Sequence, residues 1–107
     1  MNVSYTRPRR PSPDTIAYLR SLPLDDDSTD ETFNVALQAL YETQHELASL
    51  SGHEHAAGII EKVCRIVLPQ SEVCARLILF HVQDYVVFLS FHRYGSHVFQ
   101  TILELST

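Results

Sequence analysis

Apolar positions along this chain recur with the spacing of helices rather than strands. From Phe33 to Leu50 they fall at Val35, Ala36, Leu37, Ala39, Leu40, Tyr41, Leu47 and Leu50, the early part helical in period, though broad. Before it, SPDTIAYLRSL (12–22) predicts a shorter helix. Ser12 stands at the cap, Pro13 suits the first turn, Asp14 faces the positive end of the dipole, and Pro23 ends the segment. Ser28-x-x-Glu31 and Ser51-x-x-Glu54 are capping-box patterns, the second opening a helix from about His55 to Val67 that Pro69 stops. Further helices are expected over Ser71–Val82, Asp84–His92 and Gly95–Leu105. Val86–Leu89 is β-prone in isolation but has helical neighbours on both sides, so the predicted class is all-α.

An offset of 39 residues aligns SGHEHAAGIIEKVCRIVL (51–68) with SFHRYGSHVFQTILELST (90–107). Ser51 meets Ser90, His53 meets His92, Ile59 and Ile60 meet Val98 and Phe99, and Glu61 meets Gln100. Polar positions match as well as apolar ones, and a step of this size suits a two- or three-helix solenoid repeat. The division this suggests is a basic extended tail (1–11), an N-terminal helix with an acidic linker (12–32), a first, divergent repeat (33–82) and the start of a second (83–107).

On the last helix, Val98, Phe99, Ile102 and Leu103 are expected on one half, and Ser96, His97, Gln100, Thr101 and Glu104 on the other. Ser96 and Gln100 are one turn apart, so their side chains emerge together. A hydroxyl and a carboxamide at that spacing suit the edge of a flat heterocycle, since the carboxamide both donates and accepts. His97 projects beside them and suits stacking on a base, an interaction of about 1–3 kcal/mol.

HRYGSHVFQTIL resembles the second helix of a Pumilio (PUF) repeat, with its aromatic–small–[Ser/Asn/Cys]–stacker–x–x–[Gln/Glu] pattern, and HAAGIIEKV is similar to a divergent copy. The run is most similar to the nucleolar Pumilio-like proteins of small-subunit ribosome assembly, as are the SPDTIAYLRSL opening and GIIEKV. The resemblance implies stacked three-helix, armadillo-like repeats that start a right-handed α-solenoid, with RNA on the concave face. It implies RNA-binding roles for Ser96, His97 and Gln100, with Glu61 and Arg93 as further candidates. In the family a Ser-x-x-Gln pair is compatible with adenine. The partner implied is single-stranded RNA, most closely ribosomal RNA precursor, and the location nuclear or nucleolar, with the cytoplasm as the alternative. Ala57 and Gly58 leave the first copy without a hydrogen-bonding edge or a stacker. The initiating Met and the apolar final helix suggest the N-terminal portion of a longer protein, with further repeats or a protein partner on that helix's apolar face.

Charge changes the picture modestly. Residues 1–20 carry a net +3, residues 21–54 a net −8, and the rest balances, for −5 in all. That argues against a bulk electrostatic grip on nucleic acid and leaves Arg7, Arg9 and Arg10 as a local phosphate contact or targeting signal. Cys64 and Cys74 inside apolar stretches fit a reducing compartment. The opening residues lack the apolar core of a secretory signal. Val73–Phe91 is interrupted by Arg76, His81, Gln83 and Asp84 and reads as two core helices of a soluble intracellular protein. HELAS has Ser49 where a zincin needs its second histidine, and His53 and His55 are two ligands without a third. DDDSTDE lacks the EF-hand glycine, and Ser28 before Asp30 and Glu31 suits an acidophilic kinase. No nucleophile–base pairing or nucleotide fingerprint appears, so neither an enzyme nor a cofactor is expected. The rival to RNA binding is a helical-repeat protein-interaction scaffold; within RNA binding, the rival is a PUF-type mRNA regulator.

Overall fold

Proline and acid at its start and arginine at its end make Pro13–Arg20 the first helix, α1. The computed structural model describes residues 6–24 and 29–106; Ser28 and the aspartates before it, read above as cap, phospho-acceptor and linker, lie outside the described residues. α2 runs Asp30–Thr43, α3 Leu47–Ser51, α4 Ala57–Val67, α5 Glu72–Val82, α6 Val86–Phe91 and α7 Gly95–Leu105. Single 3-10 turns, Gln44–Glu46 and Gln83–Tyr85, join α2 to α3 and α5 to α6. Among the described residues there is no strand, and the β-prone Val86–Leu89 is helical. The protein is all-α.

The expected caps are built differently. The Ser12 hydroxyl makes no cap bond. The Glu46 carboxylate stands there instead, accepting from the Ser12 N–H at 2.8 Å and from Thr15 Oγ1 at 2.6 Å. A full negative charge at the positive end of a helix outcompetes a neutral hydroxyl. α2 is capped by Thr29, whose hydroxyl accepts from the Thr32 N–H at 3.1 Å. Ser51 closes α3 rather than opening α4: it is buried and donates to the Leu47 carbonyl at 2.7 Å.

The apolar run 33–50, helical in period in its early part, is one helix only as far as Thr43, whose hydroxyl donates to the Ala39 carbonyl at 2.7 Å. The break is part of a recurrence. Each 3-10 turn and each short helix starts 39 residues after its counterpart. Gln44 (φ −56°, ψ −34°) matches Gln83 (−57°, −35°), and Glu46 (−116°, 12°) matches Tyr85 (−118°, 17°). Ser90 donates to the carbonyl four residues back at 2.7 Å, as Ser51 does. The recurrence thus runs over α2–α4 and α5–α7, with residues 68–71 between them.

Burial holds the units together. α4 lies against α2, α3 and α7, and α7 lies against α4 and α6. Leu40, Leu50, Ile60, Ile78, Leu89 and Ile102 are each 2 % exposed or less in one continuous core, which Leu19 of α1 joins. Such side chains contribute about 1.5–3 kcal/mol each relative to exposure. α5 rests on the first unit's 3-10 turn and on α3. There the Gln44 amide nitrogen donates to the Tyr41 carbonyl at 3.0 Å, leaving its oxygen to accept from His81 Nε2 at 3.2 Å. Glu72–Phe91 has the length and mean hydropathy (1.4) of a membrane-crossing helix, but the turn at Gln83–Tyr85 divides it and both halves enter the shared core.

Two outcomes follow. A Cβ on Gly52 would stand 2.9 Å from the Phe88 ring, which overlies it from the second unit. Gly52→Ala is expected to cost about 1–3 kcal/mol in urea unfolding, with partial recovery when Phe88→Leu is added. Burial and then the neighbouring His45 lower the pKa of His81. The unfolded chain therefore binds this proton more readily, so the contribution is complete above about pH 6.5 and is lost as pH falls from there through the folded value. His81→Gln should flatten that acid limb of stability against pH.

Candidate nucleic-acid interface

The start of α7 is set by a histidine rather than by a hydroxyl cap. His92 Nδ1 accepts from the backbone N–H groups of Tyr94 (3.0 Å) and Gly95 (3.2 Å), satisfying donors that a helix start leaves free. His53 Nδ1 accepts from the His55 N–H at 3.1 Å in the first unit. Both rings therefore present an unprotonated Nδ1. The Phe88 ring lies 4.9 Å from that of His92. A Cβ at Gly95 would meet the Leu89 side chain at 3.0 Å and its Cα at 3.3 Å, so α6 and α7 approach closely here. This places Ser96 in the first turn of α7.

Ser96 is half-buried, and His97 and Gln100 are exposed. Gln100 Nε2 donates to Glu104 Oε1 at 3.1 Å on the surface, where water competes for the bond. Hydroxyl, imidazole and carboxamide thus stand within a turn and a half of helix, none in the interior. On α4, which lies alongside, the matching positions are Ala57, Gly58 and Glu61. Ala57 is buried, and open space surrounds the place where a Cβ on Gly58 would stand. Arg93 sits in the turn before α7, exposed, with its guanidinium 5.6 Å from the Tyr94 ring centroid, a cation–π distance.

Thr101 and Leu103 depart from the expected faces. Thr101 is 3 % exposed, not on the outer stripe, and Leu103 is 47 % exposed, not on the buried half. The inward direction of α7 is turned toward α4. The Thr101 hydroxyl can be buried there because it donates to Glu61 Oε1 at 2.9 Å. Glu61 also accepts from Arg65 Nη2 at 2.9 Å, and that guanidinium lies 3.4 Å from Thr101 Oγ1. Glu61 is thus a joint between the units as well as a candidate for RNA. Sequence reasoning missed the roles of Thr101 and Arg65. The usable signal was the repeat alignment, in which Thr101 follows the residue matched to Glu61.

The Cys64 thiol on α4 is buried. Burial, with a smaller push from Glu61 and an opposing pull from Arg65, raises the Cys64 thiol to about 12. It stays protonated at neutral pH, unlike a reactive cysteine. Among the described residues no three His, Cys, Asp or Glu side chains converge as metal ligands.

A double-mutant cycle on Glu61→Ala and Thr101→Val should return a coupling of about 1 kcal/mol in chemical unfolding, the scale of one hydrogen bond. A coupling near zero would remove the joint from the account. No family model, curated protein or solved structure matches this chain.

Proposed function

We propose that this chain is an RNA-binding helical-repeat protein whose two units begin a right-handed α-solenoid of stacked Pumilio-type repeats, with single-stranded RNA read by α7. The observation that carries the reading is the exposed grouping of Ser96, His97 and Gln100 on a helix that lies beside its counterpart α4. In this reading Ser96 and Gln100 meet a base edge and the His97 ring stacks on a base. The bond from Gln100 to Glu104 is a surface bond that a base edge can replace. Arg93 beside Tyr94 supplies a cation near the path of the strand. Glu61 adds a carboxylate edge where it is not engaged by Thr101 and Arg65. Unit one, with Ala57 and Gly58 at the matching places, reads no base through those side chains.

Because the net charge is −5, the grip rests on stacking and edge contacts more than on counterion release. The role assigned is nuclear or nucleolar, in small-subunit ribosome assembly, with ribosomal RNA precursor as the partner; it involves no catalysis and no cofactor. A scaffold that binds protein instead is the second reading, favoured by exposed Val73, Phe80 and Phe91 at 66–82 %.

His97→Ala and Gln100→Ala in the full chain should each weaken binding of a labelled single-stranded RNA, His97→Ala by about 1–3 kcal/mol, with the far-UV circular dichroism unchanged. Unchanged affinity in both variants would favour the scaffold. Crosslinking in cells separates the RNA classes: ribosomal precursor supports the assembly role, and messenger RNA would assign the protein to mRNA regulation.

A further inference from the structure

The residues that lead into α1 read RRPSP (9–13). Ser12 is held extended (φ −63°, ψ 136°), the conformation that a following proline imposes, and residues 6–12 are not helical. Ser12 stands at the cap position of α1, yet its hydroxyl makes no cap bond. Glu46 serves as the cap instead, reaching from the first unit's 3-10 turn to the Ser12 N–H at 2.8 Å and the Thr15 hydroxyl at 2.6 Å. Ser12 is half-buried, and the two arginines before it, Arg9 and Arg10, are exposed.

These five residues carry a chemistry that RNA binding leaves unused. An enzyme that phosphorylates a serine takes the chain extended, with the acceptor hydroxyl outside any helix. A proline after the acceptor brings no N–H to be satisfied and keeps the acceptor extended. Arginines two and three places before it suit carboxylates of the enzyme, which accept their forked N–H groups. Charge patterns of this kind are how kinases tell one substrate from another. No other serine or threonine in the sequence is followed by proline, so the pattern marks one residue.

We infer that Ser12 is a phosphorylation site, and that its phosphate replaces Glu46 at the head of α1. In the transfer Ser12 Oγ attacks the γ-phosphorus of ATP, the bond to the β-phosphate oxygen breaks, ADP leaves, and the hydroxyl proton passes to the kinase's base. The product brings about −1.5 to −2 of charge to a residue whose own N–H is bonded to a carboxylate. The two anions repel. The phosphate is covalently fixed at the cap, so it keeps the free N–H groups of the first turn and Glu46 leaves. Arg9 and Arg10 are close enough in the chain to hold it, while Asp14 opposes it only from an exposed position. Glu46 belongs to the turn on which α5 rests, and Gln44 of the same turn accepts from His81. Phosphorylation therefore cuts the tie between α1 and that turn, while the buried Leu19 keeps α1 in the core. The inference stands whether or not α7 binds RNA.

The test treats the full chain with ATP and a proline-directed protein kinase and locates the phosphate by peptide mass spectrometry, alongside protein isolated from its own cells with phosphatases inhibited. Phosphate on Ser12 is expected in both. It should be absent in Ser12→Ala, and the kinase should form it about tenfold more slowly when Arg9→Ala and Arg10→Ala are combined. Hydrogen exchange of the amides at 44–46 should then run about tenfold faster than in the unmodified chain, with α4 and α7 unchanged. Glu46→Ala should give the same quickening without phosphate, and phosphorylating that variant should add nothing to it. No phosphate on Ser12 in either source would overturn the inference. So would a Ser12 phosphate that leaves exchange at 44–46 as it was, or that quickens it equally in Glu46→Ala.

Discussion

The contact of α4 with α7 is the constraint on which the rest of this structure depends. It is where the second unit seats on the first, and it is mixed in character. Ile60, Val63, Cys64, Val98 and Ile102 remove apolar surface from water around it. The buried Thr101 hydroxyl reaches the Glu61 carboxylate within it. Apolar burial supplies most of the stabilisation but is indifferent to small slips along the helix axes. A hydroxyl that must find one carboxylate is not, because leaving it unpaired in the interior costs about 1–3 kcal/mol. The hydrogen bond thus sets the rotation of α7, and that rotation turns Ser96, His97 and Gln100 away from the core.

The histidines at the two loop positions have a related part. His92 ties the backbone at the start of α7 and is itself packed by Phe88, which overlies Gly52 of the preceding unit. The helix bearing the candidate site is thereby fixed at its first turn through the unit join and along its flank through Thr101. A rigid helix face presented this way suits recognition of a partner whose bases must be met at a set spacing.

Much of this was legible in the residues. Pro13, Pro23 and Pro69 act through their own backbones, so the ends of α1 and α4 could be read locally, as could the span of α7 from Gly95. The period of 39 was visible because both apolar and polar positions follow it. The break after Thr43 was hidden, since apolar positions resume beyond it at Leu47 and Leu50. Glu46 as the cap of α1 joins residues 31 and 34 positions apart, beyond any local motif. Thr101 was misplaced because a helical wheel assigns polar residues outward, whereas a single carboxylate on the neighbouring helix is enough to bring one in.

The central claim is that the outward stripe of α7 meets RNA bases. It is tested most directly by titrating the isotope-labelled full chain with a short adenine-containing single-stranded RNA and following side-chain signals by NMR. The account predicts that the His97 ring and the Gln100 carboxamide shift together while the Val98 and Ile102 methyls stay in place. Silence at His97 and Gln100 at saturating RNA, or shifts confined to the exposed Val86 and Leu103, would contradict it.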